Sequence, residues 1–113
     1  MRNRNEGKGG SPATAGRSVA IALAAEEFNF DKKVLTATAG SAVTIRFNNK
    51  DSGIPHNFAL YKNAGAADMI FQGDIITGPS RITYQFTAPS TPGKYFFRCD
   101  VHPAMMFGDF IVA

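Results

Sequence analysis

The segment Val43-Thr44-Ile45-Arg46-Phe47 alternates apolar and polar residues, and similar short runs recur along most of the chain. Side chains of a β-strand point alternately to opposite faces, so Val43, Ile45 and Phe47 share one face. Val19, Ile21 and Leu23 alternate with alanine, and Arg81-Ile82-Thr83-Tyr84-Gln85-Phe86 repeats the pattern. Further strand-like runs cover 34–38, 57–61, 94–99 and 108–112. Turn formers separate them: Asn48 to Gly53 is one such cluster, and Pro89, Pro92 and Gly93 punctuate another. Many short strands divided by turns predict an all-β fold, a two-sheet antiparallel Greek-key β-sandwich of about seven or eight strands. Residues 62–80 are less regular. A short helix near 64–69 is expected there, with Asn63 as its cap and Gly65 weakening it, followed by a short strand and loop.

A chain of 113 residues is long enough for one domain with a single core. Residues 1–17 are rich in Gly, Ser, Asn, Pro and charge, and contain no large apolar residue after Met1. Such a segment buries too little surface to offset its ordering entropy, so a disordered tail or tether is expected, with the domain running from 18 to 113. The formal charge of +3 belongs to that tail. Without Arg2, Arg4, Lys8, Arg17 and Glu6, eight basic and eight acidic side chains remain. A neutral domain gives no footprint for nucleic acid. No apolar run approaches the about 20 residues of a membrane-spanning helix. Arg2 and Arg4 are not followed by the apolar stretch of a secretory leader.

The chemistry concentrates in Tyr95-Phe96-Phe97-Arg98-Cys99-Asp100-Val101-His102-Pro103-Ala104-Met105-Met106-Phe107-Gly108. Strand alternation sets Tyr95, Phe97 and Cys99 on one face and Phe96 and Arg98 on the other. Cys99 thus ends a strand with its sulfur toward an aromatic interior, and two intervening residues suffice to return His102 to the same point. A lone buried cysteine is by default inert core. A thiolate, an imidazole and a thioether in one loop are instead a soft donor set that suits copper cycling between two oxidation states. Zinc, the rival metal, more often takes paired cysteines or several histidines. The chain has only 2 histidines. His56, in Gly53-Ile54-Pro55-His56-Asn57-Phe58, is therefore the only candidate for a second imidazole.

Pro55-His56-Asn57 together with Cys99-x2-His102-x3-Met106-x-Gly108 resembles the cupredoxins, the type 1 blue-copper proteins of the plastocyanin, amicyanin and pseudoazurin kind. Glu27-Phe28-Asn29-Phe30 and Ala39 to Ile45 are similar to that family's opening strands. The resemblance implies one copper ion per chain, with His56, Cys99 and His102 as equatorial ligands and Met106 as the weak axial one. Met105, three residues after His102, is the alternative axial ligand. The resemblance further implies that Asn57 and Asp100, with Pro55 beside them, tie the two ligand loops together. Phe58, Phe97, Phe107 and Met105 are expected to form a dry shell. Arg98 departs from the aromatic residue that precedes the cysteine in plastocyanin. A single cysteine excludes a binuclear copper site.

The function implied is single-electron transfer between redox protein partners by a monomer that is not an enzyme. The implied location is periplasmic or otherwise extracytoplasmic, with tethering through the N-terminus. A copper-delivery protein of the same fold is the principal alternative, and a metal-free interaction module is another.

Overall fold

The computed structural model describes residues 17–113. It contains eleven strands and no helix among those residues: β1 (Ser18–Glu26), β2 (Asn29–Phe30), β3 (Val34–Ala37), β4 (Ala42–Asn49), β5 (Pro55–His56), β6 (Ala59–Tyr61), β7 (Met69–Gln72), β8 (Ile76–Thr77), β9 (Ser80–Thr87), β10 (Gly93–Arg98) and β11 (Phe107–Val112). One sheet has the order β2-β1-β4-β9 and the other β3-β11-β10-β6-β7, while β5 and β8 form a short separate ladder. The tail expected over residues 1–17 lies outside the described residues except for Arg17, whose carbonyl accepts a hydrogen bond from Ala42 N–H.

The strands face as their alternation requires. Leu23, Val43, Ile45, Phe47 and Tyr84 of the first sheet are buried against Leu35, Leu60, Phe97, Phe110 and Val112 of the second. Phe58 sits among the rings of Phe71, Tyr84, Phe86 and Phe97, with centroids 5.6–6.4 Å away. A buried phenylalanine contributes about 1.5–3 kcal/mol by leaving water, so this cluster is a principal source of cohesion between the sheets.

Three expectations need correction. The sheets are mixed rather than antiparallel: β1 pairs with β4 in parallel, and so does β3 with β11. After β1 the chain crosses to the second sheet for β3 and returns for β4, so β4 re-enters beside β1 in the same direction. The expected count of seven or eight strands rises to eleven, several of only two residues. The short helix expected near 64–69 is also absent. Asn63 makes a turn, its Oδ1 accepting from Gly65 N–H at 3.0 Å and its carbonyl from Ala66 N–H at 3.0 Å. Ala66 then takes a left-handed φ of 56°, and Met69 already belongs to β7.

Asn49, at the end of β4, braces the loop that leads to His56. Its fully buried amide donates to the Ile54 carbonyl at 2.8 Å and the Ile76 carbonyl at 2.9 Å, and accepts from Asp51 N–H at 2.9 Å. Gly78 lies against the same brace, where a Cβ would collide with the Asp51 carbonyl and the Asn49 side chain. Replacing Asn49 with Leu strips partners from three backbone groups. A loss of about 3 kcal/mol is expected in denaturant unfolding at constant slope. A loss below about 1 kcal/mol would mean that water replaces the amide.

Candidate metal centre

β10 and β11 place the cysteine loop. Their ladder runs Phe97↔Gly108, Arg98↔Phe107, and is extended by one more bond from Cys99 N–H to the Met106 carbonyl at 2.9 Å. Directly opposed residues on antiparallel strands send their side chains to the same face. Cys99 and Met106 therefore both point inward, and both are fully buried. Met105 and Phe107, one position either side of Met106, point outward and are 56% and 47% exposed. This corrects the expectation that they line a dry shell. Phe107 instead stacks on Phe96 on the outer face, with centroids 6.0 Å apart. Phe58 and Phe97 are buried in the core beside the cysteine.

The tip of the loop is closed by Met105 N–H and Met106 N–H, which both donate to the His102 carbonyl at 3.1 and 3.0 Å. Gly108 marks the re-entry into β11. A Cβ there would meet the Lys33 carbonyl and the Phe97 ring, so glycine lets the strand pass close beneath the loop.

His56 arrives from the other side on the β5–β8 ladder, where Pro55 and His56 pair with Thr77 and Ile76. The structure brings His56 Nδ1 and His102 Nδ1 each to 3.8 Å from Cys99 Sγ. The three donor atoms lie within 4.8 Å of one another. A thiol and two imidazole nitrogens converging at one end of the sandwich, His56 and Cys99 fully buried and His102 half-buried, with a thioether buried in the same cluster, are the donors of a metal site for a soft or borderline ion.

Asn57 and Asp100, the neighbours of His56 and Cys99, join the two loops. Asn57 Oδ1 accepts from Asp100 N–H at 2.8 Å, and Asn57 Nδ2 donates to the Gly73 carbonyl at 3.0 Å. The Asp100 carboxylate accepts from Tyr61 at 2.5 Å, Gln72 at 2.9 Å, Arg98 at 3.0 Å and Asn57 at 3.3 Å. Burial pulls the Asp100 pKa upward, but these bonds outweigh it and hold the pKa below its ordinary value. The Arg98 guanidinium also lies over the Tyr61 ring, 4.7 Å from its centroid. Arg98 therefore serves as a clamp on the cysteine strand.

Burial, and secondarily the neighbouring His56, lower the pKa of His102. A histidine pKa moved down from 6.5 leaves the ring neutral at pH 7, with a nitrogen lone pair free for a metal.

Two contributors escaped the sequence reading. Asp51 hydrogen-bonds His56 Nε2 at 2.7 Å. Burial pulls its pKa upward, yet the bonds from His56, Phe28 and Glu27 hold it below the ordinary value. Phe28 meets both histidines edge-on, with centroids 5.6 Å from His56 and 4.8 Å from His102. Asp51 looked like one turn former among several, and Phe28 like one residue of a strand.

Fold and donors together define a metal-binding β-sandwich with its ligands at one end. The chain belongs to the cupredoxin-like domain family, whose model matches residues 8–112. It is 31% identical over 129 residues to auracyanin-A of Chloroflexus aurantiacus, covering 92% of this chain and 76% of that protein. The structure of auracyanin A, described as a "blue" copper protein, superposes with a TM-score of 0.75 at 29% identity, covering 85% of this chain and 99% of that one. Dithionite-reduced auracyanin from Roseiflexus castenholzii gives a TM-score of 0.75 at 27% identity, over 87% of this chain and 99% of that one.

Proposed function

We propose that this chain is a mononuclear type 1 copper protein that carries single electrons between redox protein partners outside the cytoplasm. The observation that carries the reading is the convergence of His56 Nδ1 and His102 Nδ1 on the buried sulfur of Cys99. The blue-copper description of auracyanin A supports copper over zinc. Bound copper supplies a one-electron couple tolerant of one fixed geometry.

The rest is the work of the chain. Cys99, His56 and His102 would hold the ion as its three close donors, with the thioether of Met106 as the further, weaker one. Burial favours Met106 over Met105, because the ladder turns the first inward and the second to solvent. Asn57 and Asp100 hold the two ligand loops at fixed separation. The phenylalanine core excludes water from one side.

Electrons enter and leave through His102. Its ring is half-buried, whereas His56 is fully buried. Val101, Pro103, Ala104, Met105 and Phe107, which precede and follow it in the loop, make an exposed apolar run. Such a run suits short-lived docking, which needs little buried area.

The visible spectrum with one equivalent of copper(II) tests the reading. An intense thiolate-to-copper band, blue or green, is expected; a colourless complex with ordinary wide hyperfine splitting would overturn it. Cys99→Ser should abolish the band while the sandwich stays folded. Met106→Leu should raise the reduction potential with copper retained, and Met105→Leu should shift it far less; the reverse ranking would make Met105 the axial ligand. Ala104→Asp should slow electron exchange with little change in the spectrum. Exchange that is unchanged at both low and high salt would remove His102 as the route.

A further inference from the structure

Asp51 lies outside the donor set, yet its carboxylate collects hydrogen bonds from two separate parts of the chain. Oδ1 accepts from Glu27 N–H at 2.6 Å. Oδ2 accepts from Phe28 N–H at 3.1 Å and from His56 Nε2 at 2.7 Å. Glu27 and Phe28 are the two loop residues of the β1–β2 hairpin, flanked by the pair Glu26↔Asn29. Both are left-handed, with φ of 53° and 61°.

A two-residue hairpin turn with both φ positive is the form that Asn-Gly fills at low cost. Glutamate and phenylalanine adopt it against their steric preference and need an external hold. Asp51 provides that hold, since it takes both N–H groups of the turn. The consequence is the placement of Phe28, whose ring stands edge-on to His56 and His102 at interplanar angles of 89° and 90°. The same carboxylate, as an acceptor only, requires the proton of His56 to sit on Nε2. That leaves the Nδ1 lone pair facing Cys99 Sγ.

We propose that Asp51 is a positioning residue of the metal centre, whose single carboxylate both fixes His56 with Nδ1 toward Cys99 and holds the left-handed turn that seats Phe28 over the two imidazoles. Its negative charge, one imidazole ring away from the donor atom His56 Nδ1, would favour the oxidised state of a bound copper ion. The effects on copper rest on the function proposed above; the hydrogen bonding does not.

Asparagine separates these roles from simple packing. It has one acceptor oxygen where the carboxylate has two, so whichever way the amide turns its NH2 faces a donor: Glu27 N–H on one side, or Phe28 N–H and His56 Nε2–H on the other, and the one oxygen that remains is an uncharged, weaker acceptor. In Asp51→Asn the reduction potential should rise and copper(II) affinity fall about 10–100-fold. The His56 Nε2–H resonance, followed by nitrogen-15 NMR on the full chain with copper(I) and without metal, should be protected from solvent exchange in the parent protein. It should exchange at least about tenfold faster in the variant. Phe28→Leu should keep the protected Nε2–H but speed copper removal by a chelator, and Asp51→Asn should speed it too. Because Asp51 acts on the cover through Phe28, the double variant should lose copper no faster than Asp51→Asn alone. An unprotected Nε2–H in the parent protein overturns the proposal even if Asp51→Asn fails to fold. An unchanged potential in Asp51→Asn, or additive chelation rates, overturns it as well. A parent protein without a thiolate-to-copper band would instead refute the function, while the Nε2–H measurement still decides the hydrogen bonding.

Discussion

The bond from Cys99 N–H to the Met106 carbonyl is the constraint on which the metal centre depends. It carries the β10–β11 ladder one pair beyond the strands proper and so fixes the parity of everything in the loop. With Cys99 and Met106 opposed, the sulfur and the thioether share the inner face, while Met105 and Phe107 are committed to the outer one. A slip of one residue would exchange these roles completely, because strand side chains have a period of two. Gly108 makes the register possible, since any larger residue would push β11 off the Phe97 ring and the Lys33 carbonyl.

The second ligand loop is held by different means. His56 sits on a ladder of only two residue pairs, too short to fix an imidazole alone. Its position comes from buried polar side chains. Asn49 braces the loop from below, Asp51 holds the ring, and Asn57 links the next residue to Asp100. Satisfied polar groups in a low-dielectric interior are directional in a way that apolar packing is not. The sandwich core thus supplies cohesion, and these few amides and carboxylates supply the geometry.

Much of this was legible in the sequence, for reasons that also explain what was not. Val43, Ile45 and Phe47 show their inward face because alternation reports facing directly. Alternation does not report which strand lies alongside or in which direction, so the parallel pairings of β1 with β4 and β3 with β11 were missed. Cys99, His102 and Met106 could be grouped because one short loop carries them. His56 followed from the scarcity of histidine. Phe107 was misplaced because its side of the sheet is decided by the pairing across the loop, not by its apolar character. Asp51 and Phe28 were invisible because their contact depends on a left-handed turn at Glu27 and Phe28, and neither residue type advertises one.

The apolar run beside His102 has one more consequence. Residues 101–107 contain no Asp, Glu, Lys or Arg, and the chain from 18 onward balances its formal charges. A surface of that kind projects little field beyond a Debye length, so it neither draws partners in from a distance nor turns them as they approach. For the electron transfer proposed above, ionic strength would then have little hold on the encounter rate, and selection among partners would fall to shape at the moment of touching.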